Sequence, residues 1–217
     1  DCLGAGIQIT GFNALDYWIW DCRFVQCRIG ISNAHGNYHA YRCFFEGSTE
    51  SDFINDNGYY VSARGCYSLN SGYFSHDRGA SCNPFKRIFQ GNQVKPRKGN
   101  SIYFAHVGKP VFLDNIFSKG RDNAGEYTLH YSSWCGGIYE VLSIGNKYAM
   151  ADPLKMAVSK KKVFAVEDNY KYTGELSVTK NAFLSTQDPL PRYFKRRVFE
   201  VPKNSSSGKI QQIINQA

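Results

Sequence analysis

The chain has 217 residues, a formal charge of +8 at neutral pH and 42% apolar residues, enough for one continuous core. Aromatic residues make up 15%, with 15 Tyr and 15 Phe against two Met, which argues against a helical protein and favours stacked sheets. No run of 18 apolar residues occurs, so we expect no membrane-spanning helix and no membrane partner.

A short phrase repeats through the chain from Tyr17 to Tyr170. In each copy an Asp, Gly or Arg precedes a Cys or Asn, and the copies follow one another at steps of 21, 23, 26, 23, 31 and 23 residues. The repeated positions are Cys22, Cys43, Cys66, Asn92, Asn115, Asn146 and Asn169. The positions three before and two after them are mostly apolar. Columns that keep one chemical character at this period predict a solenoid.

The repeats consist of β-branched and aromatic runs that are broken by Gly, Asn, Asp and Ser, which predicts strands and turns. We therefore predict an all-β fold, a single-stranded parallel β-helix of about six to seven turns over residues 1–184. Each turn is expected to hold two strands. In the first turn these are Gly6 to Ile9 and Tyr17 to Phe24, and the second turn has Tyr38 to Phe45.

The repeated Cys and Asn residues are expected at a bend, where successive turns lie about 4.8 Å apart. Stacked Asn side chains can bond to the Asn and backbone above and below, which predicts an amide ladder. We interpret Cys22, Cys43 and Cys66 as buried thiols in the same column. The cysteines number seven, so at least one is not in an intrachain disulfide. No Cys or His cluster has metal-ligand spacing, so no metal site is predicted.

The repeat stops after Thr186. Residues 185–197 are predicted to be a linker that carries much of the positive charge, and the run Lys160 to Lys162 is interpreted as a solvated loop. Residues 198–217 are predicted to form an alternating strand and a helix with isoleucines on one face. A basic surface attracts polyanions, and of these an acidic glycan fits the fold better than a nucleic acid.

The phrases Gly91-Asn92-Gln93-Val94 and Asp114-Asn115-Ile116-Phe117 show most clearly that the turns resemble the pectate-lyase-like right-handed parallel β-helix superfamily. Residues 198–217 resemble the start of a second β-helix domain of that superfamily. The resemblance implies a fragment of a larger tandem protein, secreted by bacteria and located outside the cell, in the periplasm or at the cell surface. It also implies a polysaccharide partner, which can be acidic, and the remainder of the same polypeptide as a second partner. No nucleic-acid partner is expected.

Aligning the first strands predicts a column of side chains at one strand end: Thr10, Asn33, Asn55, His76, His106 and His130. Three His of successive turns would then lie in a row on an outward groove, roughly 5 to 10 Å apart. The candidate catalytic residues are His76, Asp77, His106 and His130. The candidate substrate-binding residues are Asp52, Asp56, Arg78, Lys109 and Trp134. The alternative is that these His and Asp residues only hydrogen-bond to turn backbones.

Enzymes of the superfamily use a basic residue for elimination, often with Ca²⁺ held by carboxylates, or paired carboxylates for hydrolysis. The first hypothesis is thus a secreted polysaccharide lyase or glycoside hydrolase, with Ca²⁺ as its one candidate cofactor. The alternative is a non-catalytic glycan-binding, adhesin-like or tailspike-like module.

Outward rings of Tyr17, Trp18, Trp20 and Tyr41 could stack on sugar rings. Strand alternation allows only about half of them to face outward, and we expect most of them in the core. Trp134 and Tyr131 are the aromatic residues expected to be exposed.

Overall fold

The computed structural model describes residues 2–11, 14–56, 60–78, 85–97, 101–105, 108–120, 128–131, 139–150, 153–156, 161–174 and 176. The chain divides into two compact units, Asp1–Val178 and Thr179–Ala217. All described residues belong to the first unit. The predicted linker at 185–197 and the predicted strand and helix at 198–217 lie outside the described residues.

The first unit is a parallel β-solenoid, as predicted. The chain passes repeatedly through three sheets, and each sheet contains seven parallel strands, one from each pass. Each strand of the first six passes pairs with the strand three elements later in the sequence, which is the connectivity of a solenoid. No helix long and apolar enough to cross a membrane is found among the described residues.

Sheet 1 is formed by β1 (Cys2–Ile9), β4 (Cys27–Asn33), β7 (Ser51–Asn55), β10 (Tyr73–Asp77), β13 (Ile102–Phe104), β16 (Leu129–Tyr131) and β19 (Leu154–Met156). Sheet 2 is formed by β2 (Ala14–Trp20), β5 (Gly36–Tyr41), β8 (Tyr60–Arg64), β11 (Phe85–Gln90), β14 (Gly108–Leu113), β17 (Tyr139–Ile144) and β20 (Lys161–Val166). Sheet 3 is formed by β3 (Arg23–Val25), β6 (Phe44–Glu46), β9 (Tyr67–Leu69), β12 (Gln93–Lys95), β15 (Ile116–Phe117), β18 (Lys147–Tyr148) and β21 (Asn169–Tyr170).

The third sheet corrects the prediction of two strands per turn. Each long second strand, such as the one predicted from Tyr17 to Phe24, is broken into a sheet 2 strand and a short sheet 3 strand. The residue that precedes each of the first six repeated Cys or Asn residues has a positive φ between 49° and 66°, as does Glu167 before Asp168 in the last pass, and this left-handed backbone turns the chain into sheet 3. These residues are Asp21, Arg42, Gly65, Gly91, Asp114, Gly145 and Glu167.

The amide ladder at this bend is confirmed. Asn115 Oδ1 accepts hydrogen bonds from the backbone N–H and Nδ2 of Asn92 at 3.0 and 2.9 Å, and Asn146 Oδ1 accepts the same pair from Asn115 at 2.9 Å each. The seventh member is Asp168 rather than the predicted Asn169, because Asp168 Oδ1 accepts from the backbone N–H and Nδ2 of Asn146. The last pass is therefore one residue shorter than the repeat predicted.

The cysteines of the same column make one of the two kinds of hydrogen bond that the asparagines make, the donation to a backbone oxygen of the preceding pass. Asn115 Nδ2 donates to the backbone oxygen of Phe89 at 2.8 Å, and the thiol of Cys43 donates to the backbone oxygen of Ile19 at 3.5 Å. Cys66 makes the same bond to the pass before it. Cys43 and Cys66 are fully buried thiols, as predicted, whereas Cys22 is partly exposed at the end of the solenoid.

Aromatic rings fill much of the core and stack from pass to pass. Phe24 lies on Phe45 with ring centroids 4.8 Å apart, and Phe117 lies on Tyr148 at 5.4 Å, in both cases with nearly parallel planes. The strand spacing of a parallel sheet brings identical positions to the distance at which rings stack. The apolar columns of the sequence are thus the inward rows of sheets 2 and 3.

Candidate functional site

The structure brings two of the three predicted His into one row of sheet 1, with a tyrosine between them. His76 is in register with Tyr103, and Tyr103 is in register with His130. The predicted strand-end column is different, since the residues actually in register are Ile9, Asn33, Asn55, Asp77, Phe104 and Tyr131. A shift of one residue moves a side chain to the opposite face of a strand, so His76 does not belong to that column. His106 lies outside the described residues.

Asp77, a predicted catalytic residue, points into the solenoid. Its side chain is 3% exposed and forms a bidentate ion pair with Arg87, itself 1% exposed, with both N–O distances at 2.9 Å. In a buried pair of this kind each charge compensates the other, so that neither is buried without a partner. Asp77 therefore contributes to the core and does not line an outer groove.

Asp52, a predicted substrate-binding residue, is also inside and fully buried. The hydroxyl of Ser68 donates to Asp52 Oδ2, and the hydroxyls of Ser48 and Ser71 also face the carboxyl group. Burial raises its pKa to about 7, and the three hydroxyls only partly offset that rise. Within the described part of the chain no cation is paired with it.

His76 is half-buried between aromatic neighbours on the outer side of sheet 1. Its ring centroid lies 5.2 Å from that of Tyr73 and 5.1 Å from that of Tyr103, and His130 lies 5.1 Å from Tyr103 on the other side. Burial and then the nearby Arg78 charge lower the pKa of His76. The imidazole is neutral at pH 7, and its Nδ1 has no hydrogen-bond partner among the described residues.

The remaining charged candidates are distributed over two faces. Arg78 bridges Asp56 at 3.1 Å and Glu50 at 3.2 Å near His76, whereas Lys109 lies on sheet 2 and pairs with Glu140 at 2.8 Å. Exposed pairs of this kind contribute little free energy and are easily exchanged for a ligand. Trp134 lies outside the described residues. Among those described, no group of three or more His, Cys, Asp or Glu is placed to hold a metal ion.

Three aromatic side chains form a cluster on the outer face of sheet 2, which we call the aromatic cluster: Trp18, Trp20 and Tyr41. The rings of Trp18 and Tyr41 are stacked with centroids 5.6 Å apart, and Trp20 meets Tyr41 edge-on at 5.7 Å. Trp18 is 58% exposed and Trp20 is 45% exposed, contrary to the expectation that most of these rings belong to the core. Large apolar rings exposed together are a mark of a binding surface.

Polar groups surround the aromatic cluster. The Arg64 guanidinium lies 5.7 Å from the centre of the Tyr41 ring, and His39 packs against Trp18 with centroids 4.8 Å apart. His39 Nδ1 lies 2.8 Å from the hydroxyl of Ser62. Burial lowers the pKa of His39, so its ring is neutral at pH 7. An aromatic floor with polar neighbours suits a ligand that has both apolar faces and hydroxyl groups.

The alternation Trp18-Ile19-Trp20 was the sequence signal for this surface. Ile19 is 7% exposed, and since neighbouring strand residues face opposite sides, both tryptophans must face outward once Ile19 faces inward. The repeat had already placed Ile19 in the inward apolar column. Comparison with known proteins finds no matching family model, no similar curated protein and no similar solved structure.

Proposed function

We propose that the solenoid is a glycan-binding module of a secreted protein, and that the aromatic cluster is its sugar-stacking surface. The observation that carries this proposal is the exposure of Trp18 and Trp20 beside Tyr41 on a rigid parallel sheet. The flat apolar faces of pyranose rings pack on aromatic rings, while sugar hydroxyls find the polar groups around them. Membership of the pectate-lyase-like superfamily, and location outside the cell, belong to the same proposal.

The positions of the acidic residues favour binding over catalysis. Of the three carboxylates among the candidate site residues, Asp52 and Asp77 are buried in the interior, where a polysaccharide does not reach them. Asp56 is on the surface but is paired with Arg78. A hydrolase needs two accessible carboxyl groups on either side of the bond that it cleaves.

The proposal is tested by titrating the full chain with a panel of neutral and acidic oligosaccharides while tryptophan fluorescence is recorded. We expect Trp18→Ala to weaken binding of the recognised sugar by about 30-fold, equivalent to about 2 kcal/mol for a central aromatic contact. Phe164→Ala is the matched control, because Phe164 is equally exposed at 58% and lies in the same outward row at the other end of the sheet. Equal weakening by both substitutions, or no binding of any sugar, contradicts the proposal.

A second candidate is the polysaccharide cleavage originally predicted, now restricted to the row His76, Tyr103 and His130. The observation that favours it is the partly exposed His76, whose pKa is lowered by burial, since a neutral imidazole can accept a proton. Its Nδ1 is buried, so Nε2 is the nitrogen available to a substrate. Release of reducing ends or unsaturated sugars by the wild-type chain, lost in His76→Gln, would support cleavage. If the wild-type chain releases neither product, this candidate is excluded.

A further inference from the structure

The fourth to seventh passes share a column just beyond the bend, three residues after each ladder residue. Its members are Lys95, Ser118, Ala149 and Lys171. The backbone N–H of Ser118 donates to Val94 at 2.8 Å, and that of Ala149 donates to Phe117 at 2.9 Å, which keeps the first three members in register. In the last pass the backbone N–H of Tyr172 donates to Tyr148 at 2.8 Å, so the register shifts by one residue after Lys171, whose φ is 58°. Lys95 and Lys171 thus belong to the first and the last of these four passes, which span about 14 Å by the strand spacing, and two small side chains lie between them.

These small side chains leave a cavity of about 450 Å³ along the outer edge of sheet 3. The residues that line it are Lys95, Ser118, Lys119, Ala149, Lys171, Tyr172, Thr173, Gly174 and Leu176. Its volume is within the range that holds small organic ligands.

The lining of this cavity is basic. Lys95, Lys119 and Lys171 contribute three ammonium groups. Among the residues that the structure describes, no carboxyl group lines the cavity and none of the three lysines pairs with a carboxylate. Lys147 lies beside it, with its Nζ 5.3 Å from the centre of the Tyr172 ring.

Hydroxyl donors complete the lining. Ser118 Oγ has no hydrogen-bond partner in the described part of the chain, so rotation about χ1 can turn it into the cavity without breaking a bond. Tyr172 and Thr173 contribute two further hydroxyls. Ammonium and hydroxyl donors match the oxygens of a phosphate or sulfate group.

We propose that this cavity binds a small organic anion that carries at least two negative charges in sulfate or phosphate groups. The lysines at its two ends engage charges that are separated along the solenoid axis, and Lys119 contacts the middle of the ligand. The site is on a different sheet from the aromatic cluster and does not depend on it.

Calorimetric titration of the full chain at low salt tests the site with three probes: a disulfated disaccharide, the same disaccharide without sulfate, and inorganic phosphate. We expect the disulfated probe to bind and the neutral one not to bind. Binding of inorganic phosphate as tightly as the disulfated sugar would overturn the proposal, because one small anion cannot engage the lysines at both ends of the cavity. Phosphate binding that is much weaker would identify an anion carried on an organic scaffold. Absence of binding to both anionic probes overturns the proposal.

Two variants and a control locate the binding. The double variant Lys95→Gln with Lys119→Gln should weaken binding of the disulfated probe at least tenfold. The control, Lys86→Gln with Lys162→Gln, removes the same charge from sheet 2 and should leave the affinity within twofold. Ala149→Phe fills the cavity and keeps every lysine, and it should abolish binding. Equal weakening by the control, or unchanged affinity in Ala149→Phe, overturns the proposal.

Discussion

Replacing Asp52 by Asn is expected to remove a pH dependence from the stability of the solenoid. Asp52 is fully buried, and its carboxyl group has only the hydroxyls of serines such as Ser68 as partners. Ionising this carboxyl group inside the core therefore places a negative charge out of contact with water and with no cation to compensate it. Asn has the same shape as Asp and cannot ionise.

The sign and size follow from the two pKa values. The pKa is 3.8 in the unfolded chain and about 7 in the folded one, so the folded state holds the proton more tightly. The stabilisation is complete below about pH 4, decreases as the pH rises, and is lost above pH 7. A difference of about three pH units corresponds to roughly 4 kcal/mol.

Urea unfolding of the wild-type chain and of Asp52→Asn, followed by circular dichroism at half-unit steps from pH 4.5 to pH 8.5, measures this dependence. We expect the variant to gain stability relative to the wild-type chain by up to about 1.4 kcal/mol per pH unit below pH 7, with no further gain above. His39 and His76 have lowered pKa values and act in the opposite direction, but they are common to both proteins and cancel in the difference. Parallel curves for the two proteins would refute the reasoning.

Three further substitutions test the interior. Asp77→Asn leaves the buried charge of Arg87 unpaired and should lower the free energy of unfolding by about 3 to 5 kcal/mol. Replacing both residues by apolar ones should restore much of the lost stability. An unchanged urea midpoint in Asp77→Asn contradicts this prediction. Asn115→Ala removes the oxygen that accepts hydrogen bonds from the backbone N–H and Nδ2 of Asn92. The free energy of unfolding in urea should fall by at least about 2 kcal/mol. An unchanged free energy of unfolding would show that water replaces the ladder. Gly91→Ala isolates the left-handed backbone, since nothing lies closer than 4.0 Å to the added methyl group, and should lower the thermal midpoint by an amount equivalent to about 1 kcal/mol. A midpoint equal to the wild-type value would show that φ at Gly91 relaxes freely.

The periodicity of the sequence predicted the solenoid because an inward apolar row repeats at the same place in each pass. Residues such as Phe45 and Phe117 occupy one inward row of sheet 3, two positions after their ladder residues. The third sheet was missed because its strands are only two or three residues long, too short to show an alternation of their own. The left-handed residues were visible in the repeat as Asp, Gly or Arg, but their backbone role was not assigned.

The candidate site was predicted less well, because loops of unequal length separate the strands. A shift of one residue decides whether a side chain faces the core or the solvent, and Asp77 fell on the inward side while His76 fell on the outward side. The aromatic cluster could have been found from Ile19 alone, since its assignment to the core places Trp18 and Trp20 outside. The cavity beside Ala149 depends on the exact register of four passes, which a single sequence does not determine.

The ladder gives the solenoid a direction. The bonds between a ladder side chain and the backbone of another pass all reach the pass that precedes it in the sequence. Asn115, for example, accepts from the backbone N–H of Asn92 and donates to the carbonyl of Phe89. Shortening the solenoid from its carboxyl end would therefore leave both a buried N–H donor and a carbonyl acceptor unmet in the new last pass. Shortening it from the amino end would remove only the backbone groups that bond to the first remaining ladder side chain, and that side chain would meet solvent instead. The two ends of the solenoid are thus unequal, and tolerance to truncation belongs to the amino end.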